Sequence, residues 1–220
     1  MPRLIIYGGG QLGRQIYSLL ATHSAHKSQV LGFADDMQDK GVEVIAGVRT
    51  LGGLGDIVDE SGTRPEEAML VMGIGYSNMV ARGMAYSRAK ELGYAFGGFV
   101  HPAAYVEPDV QLGEGCIVLA GAVLDQHVTA GPINHFDIST TIGEYSIIDA
   151  NNYIAAGATL AGSVMVGRNN FIGLDVTVVD DISIGNNNYI NAKSLVYKNI
   201  DDDRRVVEIH QSRTIKMPGR

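Results

Sequence analysis

The chain has a single cysteine, no apolar run of membrane-spanning length and a shortage of basic residues. Cys116 alone excludes an intramolecular disulfide and suits a reducing compartment. Without a stretch of about 18 apolar residues, no helical membrane span is expected. The opening MPRLIIYGGG lacks the charged, apolar and small-residue succession of a secretory signal, so a cytoplasmic protein is expected. Lys and Arg number 17 against 24 Asp and Glu, and the formal charge of −7 argues against a nucleic-acid partner. The six histidines and one cysteine show no ligand spacing, so no metal is expected.

What is present is a period of six. Stepping from Val106 through Leu112, Val118 and Leu124 to Val196 visits sixteen positions, fourteen of them Val, Ile or Leu. A helix repeats apolar residues every three or four positions and a half-buried strand every second. A period of six predicts a parallel β-helix of short strands, each sending one side chain to the axis. Asn134, Asn152, Asn170 and Asn188 are spaced by eighteen, as are Asn151, Asn169 and Asn187. Three six-residue sides therefore make one coil, about five coils are written out, and these asparagines stack at one corner about 4.8 Å apart. Asparagine tolerates the positive φ that a tight corner needs. The next residue is His135, Tyr153, Phe171 and Tyr189 in successive coils, an aromatic column.

Ahead of the repeat, residues 1–98 read as a small α/β domain of Rossmann type, with 99–220 as the β-helix domain and His101-Pro102 at the junction. Leu4 to Tyr7 runs into Gly8, Gly10, Gln11 and Gly13, a G-x-G-x-x-G before a helical pattern through Ile16, Leu19 and Leu20. Such glycines permit a tight turn and close approach of a phosphate to the helix N-terminus. Val30 to Ala34 ends at Asp35 and Asp36, placed to accept hydrogen bonds from a ribose or base. Val42 to Ile45 is expected as a strand, and Leu51 to Val58 as the start of a helix. Met69 to Met72 is expected as a buried strand whose Gly73 and Gly75 border the same crevice. Arg82 is expected on the following helix, facing solvent. The domain is short for a full dinucleotide fold, which favours a mononucleotide or nucleotide-sugar over NAD.

Gly8 to Gly13, Asp35-Asp36, Gly73 to Gly75, His101-Pro102-Ala103 and coils such as Ile154-Ala-Ala-Gly-Ala-Thr-Leu-Ala-Gly162 together resemble the bacterial sugar acetyltransferases with hexapeptide repeats. These include sialic acid O-acetyltransferases and N-acetyltransferases of UDP- or GDP-linked 4-amino sugars. The resemblance implies a left-handed β-helix and a homotrimer with active sites between subunits. It also implies a nucleotide-linked sugar on the N-terminal domain and acetyl-CoA along the coils. In that family a histidine is the general base; the matching position here is Glu144, followed by Tyr145. Its asparagine corresponds to Asp137, its second histidine to Tyr153, its glycine-loop histidine to Leu12, and its CoA-bordering terminal motif to Ile209 through Arg213. Tyr153, Gly162 and Arg213 are accordingly expected beside acyl-CoA, and Glu144, Asp137, His127 or His135 as the replacement base. The expected activity is acetyl-CoA-dependent N-acetyl transfer to a nucleotide-linked amino sugar for surface polysaccharide. The alternatives are another reaction served by the Asp137/Glu144 carboxylates, or a non-catalytic nucleotide-sugar-binding trimer.

Overall fold

The computed structural model describes residues 3–23 and 30–207. Strand β1 (Arg3–Tyr7), helix α1 (Gln11–His23), strands β2 (Val30–Ala34), β3 (Glu43–Ile45) and β4 (Val48–Arg49), helix α2 (Ile57–Ser61), strand β5 (Ala68–Met72), helix α3 (Met79–Glu91) and strand β6 (Ala95–Phe96) succeed one another. Four strands form a parallel sheet in the order β2-β1-β5-β6. Its central strands are apolar almost without interruption because both sheet faces are covered. Leu4, Ile6 and Val71 meet Ile16 and Leu20 of α1 on one face, while Ile5, Tyr7, Leu70 and Met72 meet Leu54, Ile57 and Ala89 on the other.

Two expectations about this half are corrected. The strand foreseen at Val42–Ile45 does not join the sheet: β3 pairs antiparallel with β4 across Ala46 and Gly47, whose φ values of 52° and 80° make the tight reversal that a two-residue hairpin requires. The helix foreseen from Leu51 starts only at Ile57, because Gly52 sits at φ 92° and the Gly53 N–H is taken by the Asp56 carboxylate at 2.8 Å.

Gly13 shows why the third glycine is needed. A Cβ there would stand 1.9 Å from the carbonyl oxygen of Gly8, so α1 packs on the β1 turn at a distance only glycine allows. In an exposed helix, Gly→Ala stabilises by about 1 kcal/mol. Here we expect the opposite sign: Gly13→Ala lowers stability by about 2 kcal/mol through overpacking, read as a reduced denaturation midpoint at unchanged slope.

From Phe99 to Val206 the chain is a parallel β-solenoid of about six turns. Every strand is two residues long, and the strands stack into three faces. Seven strands from Phe99–Val100 to Arg205–Val206 form the first face, six from Tyr105–Val106 to Leu195–Val196 the second, and five from Gln111–Leu112 to Ser183–Ile184 the third. The second residue of each strand points inward, so Leu124, Phe136, Ile142, Ile154 and Ile172 are all buried in one axial core. The two departures from Val, Ile and Leu in the repeat, Ala130 and Phe136, follow each other in one coil, where small and large compensate. The solenoid exceeds the five coils counted between Val106 and Val196 because it runs past both ends of that stretch. Phe99–Val100 keeps the eighteen-residue step to Ile117–Val118, whereas the last step, Tyr189 to Arg205, spans sixteen residues.

The two asparagine columns divide the work at the edge between the third and first faces. Asn151, Asn169 and Asn187 take φ of 58°, 62° and 57°. Asn134, Asn152, Asn170 and Asn188 are buried and form a ladder in which each Oδ1 accepts the backbone N–H of the coil above or of its substitute Arg204, at 2.7–2.9 Å. The aromatic column stacks as expected, with His135–Tyr153 rings 4.3 Å apart and Phe171–Tyr189 rings 4.7 Å apart. His101-Pro102 forms the first turn of the solenoid, between Phe99–Val100 and Tyr105–Val106, where the Ala103 N–H donates to His101 Nδ1 at 3.0 Å. Apolar contacts run from the α/β sheet into the coils: Phe99, Ile117 and Leu119 share the core under α1, and Ile133 shares the core under α3.

Candidate active site

The glycine turn opens a crevice at the ends of β1 and β5. Gly8 stands at φ 113°, and a Cβ on it would meet the backbone of Gly73 at 2.8 Å. Gly73 in turn is pressed between Ile6, Gly8 and Gly13, whereas nothing lies within 4 Å of a Cβ built on Gly10 or Gly75. The two turns therefore lock together through Gly8, Gly13 and Gly73, and Gly10 and Gly75 leave room for a ligand at the N-terminus of α1. A cavity of about 430 Å³ lies here, bordered by Gly8, Gly10, Asp35, Asp36, Gly73 and Gly75.

Both acidic residues are already engaged. Asp35 Oδ2 accepts from the Gly9 N–H and the Gln38 side chain, each at 2.8 Å, and Oδ1 accepts from the Met37 N–H at 2.9 Å. Asp36 accepts from the Tyr7 hydroxyl at 2.7 Å and the Leu54 N–H at 3.1 Å. Burial, followed by the neighbouring Asp36 carboxylate, raises the Tyr7 pKa, so Tyr7 remains a donor. These carboxylates tie the β1 and β2 loops together at the crevice rim.

A second cavity of about 510 Å³ begins at Gly10, Gln11 and Leu12 and ends at Tyr76 and Tyr153. A third, of about 340 Å³, shares Tyr76 and Tyr153 and continues over Phe171 and Tyr189 to Asp137 and Arg205. Shared residues join the three into one track from the α1 N-terminus to the first face of the solenoid. Tyr76 is the hinge of this track, stacked on Phe171 at 4.5 Å and tilted against Tyr153 at 4.9 Å. The Tyr153 hydroxyl donates to Asp137 Oδ2 at 3.4 Å, and burial, then Asp137, raises its pKa.

His135 does not open onto the track. It is fully buried, and neither ring nitrogen has a hydrogen-bond partner. Burial, then the charge of Arg82, pushes its pKa down to about 3, so it is a neutral packing residue beneath Tyr153. A histidine charged when unfolded and neutral when folded costs stability as pH falls below the unfolded pKa of about 6.5. At pH 5 this amounts to about 2 kcal/mol of stability. We expect His135→Gln to flatten that part of the stability–pH curve, measured by chemical denaturation from pH 7.5 to 5.

The other candidate residues stand at the edge between the second and third faces. Glu144 and Tyr145 are exposed there, and a Cβ on Gly162, one coil on, would meet Glu144 Oε1 at 2.7 Å. One coil back, His127 stacks on Tyr145 at 4.8 Å and holds Asp109 Oδ2 through Nδ1 at 2.6 Å. The same carboxylate oxygen accepts the His127 backbone N–H at 2.9 Å. Asp109 thereby orients the imidazole with Nε2 outward, the arrangement that a proton acceptor needs. Asp137 lies at the edge between the first and second faces, so the Asp137/Glu144 carboxylates occupy different edges of the prism. The glycine-loop residues, Tyr153 and Asp137 are brought to one track; Glu144, Gly162 and His127 are brought together elsewhere. Arg213 lies outside the described residues. Among the described residues no group of three His, Cys, Asp or Glu forms a metal site, and no helix is long and apolar enough to cross a membrane.

Arg82 overturns its expectation. It is fully buried against the solenoid edge, donating through Nε to the Ile74 carbonyl at 2.9 Å, through Nη1 to the Ile133 carbonyl at 2.9 Å, and to Asn151 Oδ1. Burial brings its pKa down only to about 10, and it stays charged at neutral pH. Helix pattern alone places Arg82 on a polar face; its burial is imposed by coils more than fifty residues away.

No protein-family model and no curated protein matches the sequence. Solved structures do. A histidine mutant of perosamine N-acetyltransferase from Caulobacter crescentus, in complex with CoA and GDP-perosamine, is 23% identical, with 93% of each chain covered and a TM-score of 0.81. The acetyltransferase domain of PglB from Neisseria gonorrhoeae in complex with acetyl coenzyme A is 22% identical, covering 92% of this chain and 94% of that one, with a TM-score of 0.78. WeeI from Acinetobacter baumannii is 20% identical, covering 94% and 97%, with a TM-score of 0.80. At these identities the likeness establishes the architecture over nearly the whole chain.

Proposed function

We propose that the chain is a CoA-thioester-dependent N-acyltransferase acting on a nucleotide-linked amino sugar, with residues 1–98 holding the nucleotide and 99–220 carrying the acyl site. The observation that carries this reading is the continuous track from the α1 N-terminus to Asp137. It lies on a fold shared with proteins whose solved complexes contain CoA and GDP-perosamine. A diphosphate fits the backbone N–H groups at α1 beside Gly10, where no side chain intervenes. The sugar then extends toward Tyr76 and Tyr153.

Within one chain the track and the His127 edge lie on different sides of the prism. The reading therefore requires a homotrimer, in which the edge of one copy faces the track of the next. In that setting the sugar amine attacks the thioester carbonyl; a C–N bond forms and the C–S bond breaks. Nε2 of His127 takes the amine proton and returns it to the departing sulfur. Glu144, in the coil above, borders the reacting groups. Such a protein would work in the cytoplasm, feeding surface glycan assembly.

A second reading, a nucleotide-sugar-binding trimer without acyl transfer, draws on one observation: Glu144 stands exposed where the family resemblance expects a histidine. Calorimetry separates the two. Under the first reading acetyl-CoA and a UDP- or GDP-linked sugar each bind at micromolar Kd. Binding of the nucleotide-sugar alone sinks the acyltransferase reading, and binding of neither sinks both.

A further inference from the structure

Arg82 is a buried cation without a carboxylate: none of the ion pairs among the described residues includes it. Buried charges are usually paired, so what holds this one needs an answer. The Asn151 side chain accepts from the guanidinium and donates through Nδ2 to the Met79 carbonyl at 2.7 Å and to Asn169 Oδ1 at 2.8 Å. Asn169 Nδ2 donates to Asn187 Oδ1 at 3.0 Å, and Asn187 Nδ2 to Asp203 Oδ1 at 3.0 Å. All four residues share one backbone conformation, with Asp203 at φ 57°, so each coil presents its side chain in the same orientation.

The ends of this ladder dictate its direction. A guanidinium only donates and a carboxylate only accepts, so every amide turns its oxygen toward Arg82 and its nitrogen toward Asp203. The aligned amide dipoles put their negative pole against the buried cation, as a helix C-terminus does. Ile133, whose carbonyl takes another Arg82 N–H, sits at φ 52°, a conformation that a β-branched residue holds only under constraint. Two further facts connect this to the crevice. Arg82 Nε holds the carbonyl of Ile74, between Gly73 and Gly75, and Asn151 holds the first residue of α3.

We propose that Arg82 is a positioning residue that sets the Gly73–Gly75 wall of the crevice against the solenoid, and that the Asn151–Asn169–Asn187–Asp203 ladder holds its guanidinium in place. The effect on ligand affinity rests on the nucleotide reading above; the effect on the loop does not. Amide hydrogen exchange on the full chain without ligand is the first test. Asn169→Gly cuts the ladder while keeping a residue suited to φ 62°. We expect it to speed exchange in residues 73–78 about threefold, and Arg82→Lys, whose single ammonium cannot reach Ile74, Ile133 and Asn151 together, about tenfold. Exchange in β1 and β2 should stay within twofold of wild type.

Unchanged exchange in residues 73–78 in both variants, or a uniform rise throughout the α/β domain, overturns the proposal. Should Arg82→Lys fail to fold, Asn169→Gly decides alone. Calorimetry with GDP and UDP then extends the test, a tenfold weaker Kd being expected for Arg82→Lys. Loss of protection with no wild-type nucleotide binding would sink the nucleotide reading and leave the positioning role standing.

Discussion

His127→Ala is expected to lower kcat for acyl transfer by about 10²–10³-fold while leaving the Kd of the nucleotide-sugar unchanged. The size follows from the loss of the only histidine among the described residues that combines an outward nitrogen with a carboxylate on the other ring nitrogen. Asp109→Asn should cost less, about tenfold, because the amide can still hold the imidazole through one hydrogen bond but no longer stabilises its charged form. The double variant should resemble His127→Ala, since the two act as a unit. Parallel measurement of Glu144→Gln separates this from a carboxylate base. A 10²-fold loss there, with His127→Ala near wild type, would move the chemistry to Glu144. Stability is not expected to change, because the Asp109–His127 pair is half exposed and such pairs contribute under about 1 kcal/mol.

The second large effect concerns the fold. Asn152→Leu is expected to destabilise the protein by about 3–5 kcal/mol, read from denaturant midpoints. Asn152 is fully buried and serves three groups on two neighbours. Its Nδ2 donates to the Asp149 carbonyl at 2.9 Å, and its Oδ1 accepts both the backbone N–H and the side-chain amide of Asn170, at 2.9 and 3.0 Å. Leucine fills the volume but leaves the Asn170 backbone N–H buried without a partner, at about 1–3 kcal/mol, and removes one of the two hydrogen bonds made by the Asp149 carbonyl and by the Asn170 amide, at about 1 kcal/mol each. The backbone N–H of residue 152 still reaches Asn134 Oδ1, so the ladder below survives. Asn188→Leu near the end of the column should cost clearly less, because Asn188 Nδ2 already lacks a partner. Equal losses at the two positions would show that the columns matter through shape and not through hydrogen bonding.

The period of six by itself determined the solenoid, because a side chain aimed at the axis once per side must be apolar whatever surrounds the coil. The eighteen-residue asparagine spacing likewise determined which residues stack, since a coil of fixed length returns to the same edge. The G-x-G-x-x-G beside an apolar run determined the crevice, for only glycine admits the approach seen at Gly13. These features are legible because each depends on chain neighbours or on a strict repeat.

Tertiary structure alone decided the rest. Whether Asp35 and Asp36 face a ligand or brace two loops depends on where the Gly9, Met37 and Leu54 N–H groups and the Tyr7 hydroxyl come to rest. His135 and His127 look alike as corner-region histidines. One is sealed beneath Tyr153, and the other is exposed because its edge lies away from the α/β domain. Arg82 reads as a solvated helix residue until the docking of α3 on the coils buries it at the head of an amide ladder that no local pattern encodes. Burial and hydrogen-bond partners are properties of the packed whole, whereas period and steric allowance are carried by the chain.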